Sequence, residues 1–345
     1  MQPDFHWVLP TEGDTRGLDP GDPTARPAHW VAVARAAELA GFQGLQVPSG
    51  AGRPDAWVIA SMLARHARRL KFLLALRPGF VAPAAAAQAV ASLQQLTGQR
   101  VLLTLLAGGD LAEHRAHGDL VNHDDRFARA AEFLAVLKQA WRGRPGGIGF
   151  RHEGAHYRVH HGGLVRPLRS PPPIHLGGSS PASLRVAAEH ADVHVLWADT
   201  PERFGDQVRR VQALAAGFGR TLRVSCRAHV VAAPTEALAW AAAQRRLDRF
   251  APGAPPARDD EVSPNVWRGH GRVRRPGTGH AGVAIVGSYR QVAARLEAFR
   301  RLGADHFVLS GDRGLEDLLR LGEDVLPRVR ERAVDVPAEA DEAAA

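Results

Sequence analysis

Cysteine and lysine are nearly missing from this chain of 345 residues. Cys226 is the only cysteine, so an intrachain disulfide and a cysteine-based metal cluster are both excluded. Lys71 and Lys138 are the only lysines, so arginine carries the net charge of +8. These basic residues form no tail or long stripe. They recur singly or in pairs, as in Arg68–Arg69, Arg209–Arg210 and Arg245–Arg246. That pattern favours a solvated helical surface over a nucleic-acid-binding face, with attraction for a small anionic substrate as the further reading. No stretch comes near the roughly 18 uninterrupted apolar residues of a membrane helix. The opening MQPDFHWVLPTEGD has no basic region followed by an apolar one, so no secretion signal is expected and a reducing, cytoplasmic setting fits. GxSxG, HExxH and Walker A motifs are absent. No set of His, Asp and Glu has metal-ligand spacing, so no metal is expected.

What is present is alternation. Eight short apolar runs read as strands: Asp4–Leu9, Gly44–Val47, Lys71–Ala75, Val101–Leu106, Ile174–Leu176, Val193–Leu196, Leu222–Val231 and His306–Leu309. Amphipathic helical stretches lie between them, several ending in a glycine (Gly41, Gly98, Gly303) suited to a left-handed cap. Eight βα units predict a closed TIM (β/α)8 barrel in a single domain over residues 1–334. An open doubly wound sheet is the runner-up, and the lack of GxGxxG after the first strand speaks against it. With 45% hydrophobic residues the chain can bury a large core. Residues 146–173, rich in Gly and Pro, read as a hairpin insertion. Residues 251–282 read as a long mobile loop carrying Arg258, Arg268, Arg272, Arg274 and Arg275. The small acidic tail 335–345 reads as disordered.

Barrel chemistry sits at the C-terminal ends of strands and on the loops that follow. After strand one, Glu12 is a catalytic or ligand-contacting acid, or simply a solvated one. Strand three ends in Ala75-Leu76-Arg77-Pro78, whose extended backbone suits contact with a flat ring. Strand four ends in Ala107-Gly108-Gly109, where glycines permit close approach of a ligand ring or simply make a plain turn. Gly177-Gly178-Ser179-Ser180 followed by Pro181 is the strongest local signal. A tight turn, two hydroxyls and a helix start can hold a phosphate, although an ordinary Ser cap reads the same way. Arg227 and His229, two apart on strand seven, share one face. Facing inward, they need a charged partner: a bound anion, a reduced flavin, or a core salt bridge.

Taken in order, FHWVLPTEGD, VPSGAGRPDAW, RLKFLLALRP, DRFARAAEF, HLGGSS, VLWADTPE, RVSCRAHVV, EVSPNVW and HFVLSG resemble the FMNH2-dependent alkanesulfonate monooxygenases of the luciferase-like superfamily, from about Phe5 to Pro327. The resemblance implies a homodimer or homotetramer that receives reduced FMN from an NAD(P)H-dependent flavin reductase. It implies reaction with O2 to a peroxyflavin, then conversion of an anionic organosulfur substrate to aldehyde and sulfite. It assigns Arg227 to the sulfonate or peroxyflavin oxygens and His229 to the flavin's reacting edge. Trp197 matches a site Trp, and Arg274 a mobile-loop Arg. Ser179 and Ser180 match the FMN phosphate site, with His123 and Phe127 nearby. Three positions depart: Glu12 replaces a His, Arg53 a Cys, and Asp312 a Tyr that serves as proton donor. These changes point to a shifted substrate, to a paralogue with altered chemistry, or to compensation by Asp312. The alternatives are hydride transfer with a deazaflavin (F420) and flavin binding without turnover.

Overall fold

Short β-branched and leucine-rich runs separated by alanine-rich amphipathic stretches give strand and helix in turn. The structure, a computed structural model, describes residues 2–11, 25–50, 53–109, 111–273 and 282–334. Within them the strands are β1 (Asp4–Val8), β2 (Gly44–Gln46), β3 (Lys71–Leu76), β4 (Val101–Leu105), β5 (Phe150–Glu153), β6 (Arg158–Gly162), β7 (Ile174–Gly177), β8 (Val193–Trp197), β9 (Arg223–Ala233), β10 (Glu261–Ser263), β11 (Val266–Trp267), β12 (Ala284–Ser288) and β13 (Ala304–Ser310). The helices are α1 (Ala25–Leu39), α2 (Ala56–Leu63), α3 (Pro83–Thr97), α4 (Leu111–Ala116), α5 (His123–Trp141), α6 (Pro181–His190), α7 (Pro201–Gly217), α8 (Glu236–Phe250), α9 (Tyr289–Arg301), α10 (Leu315–Arg320) and α11 (Leu326–Val334).

Parallel pairing runs β1-β2-β3-β4-β7-β8-β9-β13 and returns to β1, which closes the barrel and excludes the open sheet. These are the eight strands expected from sequence. β9 is 11 residues long and outgrows the barrel. Its first part pairs with β8 and β13; its last five residues, His229–Ala233, pair with β12, and of these only His229 also pairs with β13. β12 then carries the antiparallel β11 and β10. So residues 251–273, read from sequence as loop, contain two short strands and two 3-10 turns. Trp267, fully buried against Val231 and Val286, fixes them. Arg258 and Arg272 of this segment pair with Glu236 and Asp260 and serve the fold. In the segment 146–173, β5 and β6 form an antiparallel pair. Glu132 of α5 ties it down, accepting from the backbone of His156 (2.9 Å) and Tyr157 (2.8 Å).

Two cores result. Outward-facing strand residues such as Phe5, Trp7, Phe72 and Phe307 pack under the helices. Inside the barrel, Leu73, Leu102 and Val308 form a small apolar layer with Val8. Beside it the interior is polar. His6 and His175 sit on strands four steps apart around the ring, yet their ring centroids are 6.5 Å apart, so both point inward. His306 completes the group at 6.1 and 5.6 Å. All three are buried. Among the described residues no helix is long and apolar enough to cross a membrane.

Candidate active site

The site is built where β1, β9 and β13 end. His229 stands on β9 opposite Ser310 of β13 and Ala284 of β12, at the point where β9 leaves the barrel. Its Nδ1 lies 3.0 Å from Ser310 Oγ, and its Nε2 3.0 Å from Asp312 Oδ1. A carboxylate only accepts, so Nε2–H donates to Asp312 and Nδ1 accepts the Ser310 hydroxyl proton. Burial first, then the nearby Arg246, push the His229 pKa down to about 3. The ring is therefore neutral at pH 7 and both nitrogens are occupied. The imidazole of His270 stacks on it, 4.4 Å between centroids and 14° between planes.

Asp312 also pairs with Arg246 of α8. The turn that presents it is organised by Asp317, which accepts from the backbone N–H of Asp312 and Arg313, both at 2.8 Å. Gly311 is needed here, because a Cβ would lie 2.6 Å from Asp317 Oδ2 and 3.0 Å from the Trp7 ring. A cavity of about 790 Å3 opens above this group, between the ends of β1, β9 and β13 and the facing sides of α8 and α10. Arg53 reaches its edge and donates to Thr11 Oγ1 at 3.2 Å. The structure thus brings His229, Asp312 and Arg53 together.

Arg227 lies one pleat deeper, paired in register with Trp197 of β8. Its guanidinium sits 4.6 Å over the Trp197 ring. Burial first, then repulsion from Arg53, lower its pKa to about 10. No carboxylate among the described residues compensates that charge. Trp197 is backed on another side by Gly282, where a Cβ would come within 2.9 Å of the indole.

Neither Arg227 nor Trp197 lines this cavity, and neither do the remaining expected residues, which lie on the β3–β4–β7 side of the mouth. The Ala75 carbonyl already accepts from Trp57 Nε1 at 2.9 Å. Ala107 is buried, and the Gly108 carbonyl is held by His114 Nε2 at 3.2 Å. His114 is braced in turn by Asp119, which Arg129 and His114 hold at about 2 against the upward push of burial. The Phe127 ring packs under Gly108 and 5.0 Å from the His123 ring. Gly178 has φ 136°, and a Cβ there would meet the Ser183 hydroxyl at 2.6 Å. Ser180 caps α6, accepting from the Ser183 backbone at 3.2 Å, while Ser179 is exposed at the same helix start. Glu12 and Arg274 lie outside the described residues, as does the tail 335–345.

Sequence reasoning missed Arg246, His270, Ser310 and Asp317. Ser310 was findable: it ends β13 within HFVLSG. Arg246 and His270 carry no local signal, since only the tertiary packing of α8 and of the turn at Arg268–Arg272 brings them to β9.

A closed parallel barrel with an arginine-rich cavity at its strand C-termini is a TIM-barrel protein of the ligand-binding, enzyme-forming kind. Within that class the chain belongs to the luciferase-like monooxygenase family, whose profile matches residues 3–306. Solved structures agree on the fold. EDTA monooxygenase (EmoA) from Chelativorans sp. BNC1 is 18% identical, with a TM-score of 0.76, covering 97% of this chain and 95% of that one. Riboflavin lyase (RcaE), determined with modified FMN and riboflavin, is 19% identical, with a TM-score of 0.75 and coverage of 97% and 93%. A coenzyme F420-dependent tetrahydromethanopterin reductase from Methanopyrus kandleri is 17% identical, with a TM-score of 0.70 and coverage of 95% and 100%. Likeness at these identities carries the fold and not the substrate.

Proposed function

We propose that this chain is a two-component monooxygenase that uses reduced FMN and O2 to desulfonate an alkanesulfonate or a related organosulfur acid to aldehyde and sulfite. The observation that carries the reading is Arg227. A half-buried guanidinium stacked over an indole, with no carboxylate answering it among the described residues, is costly unless an anion arrives. Its planar fork of donors suits the oxygens of a sulfonate. Trp197 limits its rotation from one face.

The residues present suit a flavin as well. Gly178 forces a tight turn into α6, whose first N–H groups and the exposed Ser179 hydroxyl would hold the FMN phosphate. Phe127 and the Ala107–Gly108 backbone would border the ring system. When bound, the reduced flavin supplies the activation of O2. His229, neutral and engaged at both nitrogens, orients Asp312 and the cavity wall rather than delivering a proton. Asp312, in the place of the family's Tyr, would hold Arg246 at the cavity wall. The same reading includes a separate NAD(P)H-dependent flavin reductase, a homodimer or homotetramer, and a cytoplasmic setting.

The test is sulfite release from a panel of alkanesulfonates with FMN, NAD(P)H and a flavin reductase. Wild type is expected to turn over at least one member, and Arg227→Met to lose most of kcat/KM. No oxygenation of any organosulfur acid counts against the proposal. Tighter binding of reduced F420 than of FMNH2 would favour hydride transfer instead.

A further inference from the structure

Among the described residues, six arginines and three carboxylates line the 790 Å3 cavity. The carboxylates are already taken. Asp312 is held by Arg246, while Glu316 and Asp317 are both held by Arg313, at 2.7 and 3.0 Å. Arg245 and Arg249 face the same space without a carboxylate partner among the described residues; Arg249 makes only a cation–π contact with Phe250. They stand one turn apart on α8, so their like charges repel by a few tenths of a kcal/mol. The acid nearest them in sequence, Asp248, accepts instead from Gln244 at 2.8 Å.

The same helix face has a second part. Leu238, Ala242, Arg245 and Arg249 recur at spacings of four, three and four, and all four line the cavity. Leu238 is 53% exposed, an apolar side chain left open toward Val231 and Ala232 on the same cavity wall. Apolar surface thus leads along α8 to a pair of free cations. The inner end of the cavity is the buried His229, with Arg53, the neighbour of Arg227, at its edge.

We propose that Arg245 and Arg249 form a second, outer anion subsite, so that the site takes a substrate with two acid groups joined by an apolar body. One acid group goes to Arg227, just beyond the cavity's inner end at His229, the other goes between Arg245 and Arg249, and the body joining them crosses the cavity between these two points. The proposal rests on the reading of Arg227 as the inner anion subsite.

The test is calorimetric titration of the full-length protein with alkane monosulfonates and α,ω-alkanedisulfonates over a chain-length series. At the best length the disulfonate should bind about tenfold more tightly than the monosulfonate of equal length, as two partly exposed charge contacts allow. The Arg245→Ala/Arg249→Ala variant should lose that preference and keep its monosulfonate affinity. No preference at any length, or a preference that survives the double substitution, overturns the proposal. Arg227→Met separates the two readings. Monosulfonate binding indifferent to Arg227 counts against the proposed function, whereas the outer subsite is judged only by its dependence on Arg245 and Arg249.

Discussion

Lowering the pH from about 7 to 5 should cost this protein much of its stability, and histidine should be the cause. Burial, aided by His306, Lys71 and Arg223, lowers His6 to about 3. Burial lowers His194 to about 4, and burial with Arg246 lowers His229 to about 3. His175 and His270 shift the same way. In each case the folded state keeps a neutral ring, while the unfolded chain takes up a proton below its ordinary value near 6.5. The unfolded state therefore binds more protons in acid, and stability rises with pH. At pH 5 each of the three groups given a value above contributes roughly 2 kcal/mol of destabilisation relative to neutrality, together about 6 kcal/mol. That is comparable with the entire stability of an ordinary domain, about 5–15 kcal/mol. Carboxylates act lower. Asp119, held at about 2, gives up its contribution only as the pH falls below its ordinary value near 3.8. Urea unfolding followed by tryptophan fluorescence should show stability falling between pH 6.5 and 5 by about 3 kcal/mol per pH unit. His6→Leu should make the slope shallower by about one proton. A urea midpoint that stays flat across that window would refute the reasoning, because it would mean that the buried rings are charged in the native state.

Two further predictions concern the walls of the site. Gly178→Ala places a side chain at φ 136° and within 2.6 Å of the Ser183 hydroxyl; it should cost about 2 kcal/mol in urea unfolding and weaken FMN binding, and a wild-type midpoint would show that the turn relaxes freely. Asp312→Asn removes the charge that pairs with Arg246 while keeping an acceptor for His229; a loss of about 1–2 kcal/mol is expected, and an unchanged denaturation curve would mean that Arg246 finds another partner.

What was legible in the sequence and what was not divide along a physical line. Each barrel strand announces itself locally, because an inside–outside strand must be apolar on its outer face: Phe5 and Trp7, or Phe72 and Leu74, do this whatever their neighbours. Arg227 and His229 were equally legible, since a period of two on β9 puts both on the inner face regardless of the loops. β12 was not. Its run Val283–Val286 resembles any short buried segment, and its partner is the overhang of β9, a length set by tertiary pairing. The cation face of α8 was hidden for a related reason. Arg245–Arg246 looks from sequence like one more solvated pair, yet the two side chains part company in the fold. Arg246 turns to Asp312 in the turn after β13, and Arg245 falls in line with Leu238, Ala242 and Arg249 along the cavity. Had β9 stopped at the barrel rim, α8 would have started lower and run past the outside of the ring like its neighbours. The five-residue overhang carries the first turn of α8 above the mouth. A surface helix thereby becomes a wall of the cavity, and its arginines gain a cavity-facing position that no local pattern encodes.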